Sequence, residues 1–539
     1  MIIQKPLAVL ASALLLAFGN TNPASAQASE PEGSYQEPRF VVESFRIKGP
    51  ELVPRDEVEG ILRAFAGREI TFEELRHATT LVERRHALAG YEVVRVLIPE
   101  QDLQPGGSLE IEIVDARLDV ITVAGNDHFT SEAILKDLWV LRPGTLINTV
   151  QMDQNLRLIN DNPAKTVRVR LEPSDKPNLV DAKVQVSDQK PIAAFLTLDN
   201  TGTNATGDNR LGLALQHNNA FNRGHMAAFQ YVTSPGRISD VEVFGLNYKV
   251  PFYTQAAMLE MAYSDSNVNA GTLSVGSSSV SVAGAGTNYA VKWVQLLPRL
   301  DVFDQRLTTS YEIKKFVSQV QLNGTGPSLV PELESRPIGL TYTLLDTQNS
   351  RQRTFQVGYF VNHVTGGENS DGQYVRTNPA ARANFDVIRV NASWSDQLAP
   401  NWRLTAQFDL QHTDFSLISG EQFGAGGMYS VRGFEERVVS GDRGMRQSLE
   451  LSGPNVAKHF GGVFERLQWV GFAEAAQLKI NNPQPNTANE PHIASFGMGL
   501  RFAFNTKHQF RLDLARVVSG VPIQPHGDIM LHVSFATPL

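Results

Sequence analysis

From about residue 190 to the C-terminus the chain alternates between apolar and polar positions. Leu211, Leu213 and Leu215 share one face of an extended segment, with Gly212, Ala214 and Gln216 on the other. Phe244, Leu246, Tyr248 and Val250 repeat the pattern, as do Trp402, Leu404, Ala406, Phe408 and Leu410, and later Phe510, Leu512 and Leu514. A period of two is that of strands with one apolar and one polar face. Such segments begin near residues 192, 209, 224, 240, 255, 285, 303, 336, 352, 384, 400, 443, 465, 493, 509 and 528. That makes sixteen strands of roughly 8–11 residues, the length and even number that a transmembrane β-barrel requires. Lipid would contact the apolar face, water the polar one, and closure would pair every backbone group. A soluble β-sandwich alternates too, but about 350 residues without a helical period favour the barrel, at roughly 22 residues per strand and connection.

Residues 40–189 follow a different plan. Phe40 to Lys48 reads as one strand ended by Gly49-Pro50, and Pro54 to Leu62 as a short helix. Thr71 and Glu74 form a capping box for a second helix, whose apolar face carries Leu75, Ala78, Val82 and Leu88 and which Gly90 stops. Val93 to Ile98 and Leu109 to Ile113 complete a sheet. The order repeats at once: strand Leu118 to Val123, helices Ser131 to Trp139 and Val150 to Asn160, strands Val167 to Leu171 and Leu179 to Val186. Two β-α-α-β-β units are expected, at 40–116 and 117–189, ahead of the barrel at 190–539.

The N-terminus carries an address. Lys5 precedes the apolar run Leu7 to Phe18, and Ala24-Ser25-Ala26 supplies a small-x-small cleavage pattern. The run is too short to span a bilayer as a helix. Residues 1–26 read as a signal peptide and 27–39 (QASEPEGSYQEPR) as a short polar tether, so the chain leaves the cytoplasm.

Composition narrows the classes further. There is no cysteine, which removes disulfides and thiolate chemistry. The net charge of −8 argues against a nucleic-acid partner. Mean hydropathy is −0.19, far from that of a helical membrane protein. The twelve histidines show no metal-ligand spacing, and Gly424-Ala425-Gly426-Gly427 opens no phosphate-binding helix, so neither cofactor nor catalytic constellation is expected. Gly276 to Gly286 (GSSSVSVAGAG) reads as a low-complexity surface loop.

The two small units resemble POTRA domains. Gly90, Tyr91, Val96, Pro99, Gln101, Asp102, Gly107, Leu109 and Val114 are similar to the motif of two-partner secretion transporters of the outer membrane. Leu158-Ile159-Asn160-Asp161-Asn162-Pro163 resembles that family's helix end, with Ala164-Lys165 where the family has a Gly. Residues 411–441, the longest connection between late strands, contain Val431-Arg432-Gly433-Phe434, which resembles the family's motif at the tip of a loop folded into the barrel. A guanidinium buried there must be paired, and its planar fork suits a carboxylate. Gly433 permits close approach of the backbone to the wall and Phe434 can pack on it. Phe472-Ala473-Glu474-Ala475-Ala476 resembles the family's Phe-x-Asp-x-Gly segment, with Glu for Asp and Ala for Gly. Phe472 and Glu474 share the parity opposite to Trp469, Ala473 and Ala475, so Glu474 points into the lumen, while Glu435 and Glu436 are rival partners for Arg432. The last strand, Ile529 to Phe535, resembles an outer-membrane terminal strand whose aromatic lies four residues from the end.

The resemblance implies an α+β pair of periplasmic POTRA domains followed by an all-β, sixteen-stranded antiparallel barrel in the outer membrane. It implies export of one large β-helical exoprotein, haemolysin- or adhesin-like, with an N-terminal secretion domain, without ATP hydrolysis. Small sheets with open edges suit capture of an extended chain by strand addition. The implied surroundings are outer-membrane lipid and lipopolysaccharide, around a monomer. A barrel-assembly factor shares the loop motif but more commonly carries a longer POTRA array. A passive porin accounts for neither the periplasmic units nor the motif.

Many members of the family block the pore with an N-terminal helix on a long linker. Here residues 27–39, fully extended, reach at most about 45 Å, and Glu30-Pro31-Glu32-Gly33 has no apolar helical face. The expectation is a barrel without a helical plug, obstructed by the 411–441 loop alone. Deleting residues 28–38 should leave conductance in planar bilayers nearly unchanged, and a large rise would identify the tether as a plug.

Overall fold

A computed structural model describes residues 38–539 except 103–106, 204–205, 269–270, 276–277, 283–284, 318–330, 349, 484–488 and 505–506. The expected signal peptide and all but the last two residues of the expected tether lie outside the described residues, and the no-plug expectation with them.

In the first unit, Ser44–Lys48 runs parallel to Ser108–Val114, which pairs antiparallel with Arg95–Leu97. Helices Arg55–Arg63 and Phe72–Leu88 cover that sheet, and Leu75, Ala78, Val82, Leu109 and Ile111 are buried between them. The single strand expected over Phe40 to Lys48 is two. Arg39–Val42 pairs instead with Arg68–Thr71, which periodicity did not reveal. The chain changes partner at Glu43, whose N–H donates to Gly107 O at 3.3 Å, while Gly67 N–H donates to Val42 O at 2.8 Å. The capping box is complete: Glu74 N–H donates to Thr71 Oγ1 at 3.2 Å and Thr71 N–H to Glu74 Oε2 at 3.0 Å. A hydrogen bond from Arg68, then that from Thr71, holds the Glu74 carboxyl below its ordinary range. Gln101 acts as an extra strand residue, donating to Glu110 O and accepting from Glu110 N–H, both at 2.8 Å. Tyr91 packs on the core, Pro99 O accepts from Gln101, and Asp102 is exposed.

The second unit repeats this topology. Arg117–Ala124 lies parallel to Leu179–Asp188, which pairs antiparallel with Lys165–Pro173. Its helices are Ser131–Asp137 and Thr149–Asn160. Asn148 joins the units. Its Oδ1 caps the second helix by accepting from Gln151 N–H at 3.0 Å, and its Nδ2 donates to Ala89 O at 3.0 Å. Thr149 N–H donates to Gly90 O at 2.8 Å. Gly90 therefore does more than stop a helix: at φ +95° it faces Asn148 so closely that a Cβ would lie 2.5 Å from Oδ1.

The barrel is closed and antiparallel, from Ile192–Asp199 to Ile529–Pro538. Seventeen segments make sixteen strands, because Leu333–Ser335 and Pro337–Gln348 pair in one register with Phe303–Phe316. Burial is inverted relative to a soluble protein. Leu246, Met498 and Leu500 are 49%, 68% and 42% exposed on the outer face, while Gln216, Ser310 and Asp513 are 4%, 6% and 0% exposed inside. Part of the expected 276–286 surface loop is strand: Ser278–Val282 pairs antiparallel with Gly271–Val275 as a hairpin outside the barrel sheet. Serine and valine alternate from Ser279 to Val282, so a low-complexity run also satisfies a strand period.

The second unit is docked to the near end of the barrel by the 158–163 segment. Leu158 is buried with Met226, Met258, Val294 and Leu296 of the strands. Asp161 accepts both Arg306 Nη1 and Nη2, at 2.9 and 2.8 Å. Asn162 Nδ2 donates to Asn218 O at 2.6 Å, and Trp139, just past its helix, donates from its indole to Tyr253 O at 2.9 Å. Lys165 pairs with Asp137 at 2.6 Å.

Gly90→Ala should strain this joint by about 1–3 kcal/mol and loosen the first unit from the second. Limited proteolysis between residues 89 and 117 should speed up while the barrel stays resistant.

Candidate functional site

Thr413 to Asp442, between Trp402–His412 and Arg443–Ser452, folds back into the lumen. Two short strands, Phe423–Ala425 and Val439–Gly441, pair to form its stem. The tip carries Val431, Arg432, Gly433 and Phe434, all buried. Val431 and Phe434 sit in an apolar cluster with Ala476, Leu478, Ile493 and Val517 of the wall. Gly433 lies so near the wall that a Cβ would come within 3.2 Å of the Ala515 Cβ. The Ala476 that replaces the family's Gly is part of that apolar contact.

Arg432 is 2% exposed and bonded on every side. Its Nε and Nη2 donate to Glu474 Oε1 at 3.0 and 2.6 Å, and its backbone N–H donates to Glu474 Oε2 at 2.7 Å. Nη1 donates to Glu450 Oε2 at 2.9 Å and lies 3.4 Å from Asp513 Oδ2. The guanidinium stacks 3.4 Å from the centroid of the Phe472 ring, adding a cation–π contact. Ser448 Oγ donates to Glu474 Oε1 at 3.0 Å. Of the two rivals, Glu436 is engaged elsewhere, its Oε1 accepting Met428 N–H at 2.9 Å, while Glu435 is tied through its backbone, its N–H donating to Gln524 Oε1 at 3.1 Å.

The carboxylates do not serve Arg432 alone. Arg501 donates to Asp513 at 2.6 Å and to Glu450 at 3.3 Å. Arg511 donates from Nε to Asp513 at 2.5 Å and from Nη2 to Met428 O at 3.0 Å. Arg432, Arg501 and Arg511 thus balance Glu450, Glu474 and Asp513, and the buried network carries no net charge. Neutrality with full hydrogen bonding is the condition under which buried ions are tolerated. Beneath the network, at the end of the barrel where the POTRA-like units dock, a cavity of about 540 Å³ is lined by Arg466, Arg501 and Arg511 together with Phe502, Phe510 and Ala536. No cluster of three or more metal-ligating side chains occurs among the described residues.

Glu450, Asp513, Arg501, Arg511 and His532 were not singled out by the sequence reading. His532 Nε2 accepts Gly433 N–H at 2.8 Å, tying the tip to the last strand. Parity alone could have placed Asp513 in the lumen, opposite Leu512 and Leu514. What it lacked was the register that aligns Asp513 with Gly499, and Glu450 with Phe472.

A closed barrel with an inward loop, carried on two POTRA-like units, defines an outer-membrane transporter with a periplasmic domain. The haemolysin secretion/activation protein family ShlB/FhaC/HecB matches residues 180–502, and the ShlB-type POTRA domain matches residues 40–115. The chain belongs to this family of two-partner secretion transporters. It is 23% identical over 448 residues to the outer membrane transporter CdiB of Dickeya dadantii, covering 78% of this chain and 74% of that protein. It is 19% identical over 501 residues to the heme/hemopexin transporter protein HuxB of Haemophilus influenzae, covering 89% and 84%. The fold is similar to CdiB from Escherichia coli (TM-score 0.74, 18% identity, 95% of this chain and 93% of that one). It is also similar to CdiB from Acinetobacter baumannii (TM-score 0.71, 14% identity, 94% and 91%).

Arg432→Ala should leave Glu474 buried without its main partner, a change that costs about 3–5 kcal/mol. The heat needed to unfold the barrel in detergent gels should drop, although the protein still inserts. Unaltered thermal resistance would remove the network from the account of the loop.

Proposed function

We propose that this protein exports one large β-helical exoprotein, haemolysin- or adhesin-like, across the outer membrane without ATP hydrolysis. The cargo arrives unfolded in the periplasm, its N-terminal secretion domain pairs with an open sheet edge of the POTRA units, and the chain threads through the barrel. Folding outside pulls it forward. The observation that carries this reading is the loop held in the lumen by a neutral ion network, above a cavity at the end of the barrel where the periplasmic units dock. A passive channel has no use for either part. Strand edges at Arg95–Leu97 and Lys165–Pro173 each have one paired and one open side within their sheets, which suits strand addition. The family's description brings secretion and the relatives' names bring transport to this chain, and the barrel closes within a single chain, so one copy in lipid and lipopolysaccharide suffices.

Two measurements test the reading. Cells lacking this protein should retain the exoprotein encoded beside it, and Arg432→Ala at equal transporter levels should reduce its secretion. Residues 27–190 on their own should bind the secretion domain of that exoprotein. A folded fragment that ignores it would reduce the POTRA units to spacers.

A further inference from the structure

Ten residues before Val431, Glu421 is a second carboxylate sealed inside the barrel, 2% exposed. Lys314 Nζ donates to its two oxygens at 3.1 and 3.2 Å, Ser335 Oγ to Oε1 at 2.7 Å, and Arg389 Nη2 to Oε2 at 3.1 Å. These partners stand on Phe303–Phe316, Leu333–Ser335 and Asp386–Ala399. The carboxylates around Arg432 stand on Arg443–Ser452, Arg466–Lys479 and Gln509–Ser519. The loop is therefore anchored to two separate parts of the wall.

Its base is also tied to its neighbours. Asp442, fully buried, accepts Leu417 N–H at 2.8 Å and Gln422 Nε2 at 3.0 Å from the other leg, and Asn481 N–H at 2.8 Å from the next extracellular connection. Leu417 and Ile418 share a core with Tyr374 and Phe385 of the 363–385 connection. Withdrawing the base would dismantle this extracellular cap. The tip, by contrast, meets chiefly the wall, through the Arg432 ion pairs, the bond from Gly433 N–H to His532 and the apolar contacts of Val431 and Phe434, and a passing chain can replace these with its own polar and apolar groups.

Between base and tip both legs turn through left-handed backbone. Gly426 and Gly427 have φ of +114° and +107°, and Arg437, directly opposite, has φ of +53°. Arg437 N–H donates to Gly426 O at 3.3 Å, so the two turns are in contact. A Cβ at Gly426 would lie 2.6 Å from Glu435 O, which leaves only glycine at this crossing.

The geometry points to a flap: Glu421 and Asp442 fix the base of the loop, and only the tip, 428–436, swings about Gly426, Gly427 and Arg437 when cargo passes. This deepens the export reading above and rests on it. Four to five residues per leg reach about 15 Å, and an extended chain with its side chains needs about 10 Å, so the tip's travel suffices without moving the base. Glu421 is then a positioning residue, the post on which the gate turns.

The chain has no cysteine, so engineered thiols report unambiguously. Spin labels at Tyr429→Cys on the tip and, in a separate protein, at Ser419→Cys on the base should respond differently to the co-encoded exoprotein. The tip label should gain a mobile spectral component absent at rest, and the base label should not. In parallel, a Gly441→Cys/Leu478→Cys pair, whose Cβ atoms would stand 3.1 Å apart, tethers the base to the wall. The oxidised protein should secrete as well as the reduced one. Mobility at both labels, or a tether that blocks secretion until reductant is added, would overturn the flap and leave the loop as a gate that departs whole. Mobility at neither label, with cargo engaged, would remove the loop as the gate and take the export reading's mechanism with it.

Discussion

Hydrocarbon offers no partner for a backbone N–H or C=O, and this constraint organises the chain from residue 192 onward. Every strand must pair on both sides, so the sheet must close. The closing seam is nevertheless the thinnest part of the ring: Ile529–Pro538 meets Ile192–Asp199 through five residue pairs, from Ser534–Asp199 to Pro538–Phe195. Asn200 lengthens it, donating from Nδ2 to Leu531 O at 2.8 Å and accepting Val533 N–H at 2.7 Å on Oδ1. One amide side chain here replaces a backbone pair that the short first strand cannot supply.

Closure separates two solvents. Outside, apolar side chains meet lipid; inside, polar ones meet water or one another. A long loop that enters this interior meets a wall already rich in charge, and opposite charges shielded from bulk water attract far more strongly than on a surface, which offsets the cost of taking them out of water. That is why the loop's two fixed points are both ionic, at Glu421 and at Arg432, while apolar packing of Val431 and Phe434 supplies shape. Equal numbers of guanidinium and carboxylate groups around Arg432 avoid an uncompensated buried charge, whose cost would exceed any single contact.

The periplasmic part is held to the same frame. Arg306, on the seventh strand of the barrel, grips Asp161 with both terminal nitrogens, and Asn148 grips the first unit through Ala89. Forces on the first unit therefore pass from Asn148 through the Thr149–Asn160 helix to Asp161 and the barrel wall.

The alternating faces, the strand starts near 303, 443 and 509, the helix cap at Thr71–Glu74 and the inward direction of Glu474 were legible in the sequence. Each depends only on a local period or a spacing of three residues. Glu474 could be aimed at the lumen because parity is local, and paired with Arg432 only through resemblance. The rest was not legible, for one reason. Which lumen residue faces which is set by register around a ring of sixteen strands, and a one-residue slip changes every neighbour. Glu450, Asp513 and His532 reach the loop tip from three strands, Glu421 finds Lys314 more than a hundred residues away, and Asp161 finds Arg306 in another domain. The split of Phe40 to Lys48 between two sheets likewise depends on what Arg68–Thr71 and Gly107 offer across space. The sequence by itself determined which side of each strand meets lipid. Only closure of the barrel decided which charges meet inside it, because that alignment is a property of the whole ring.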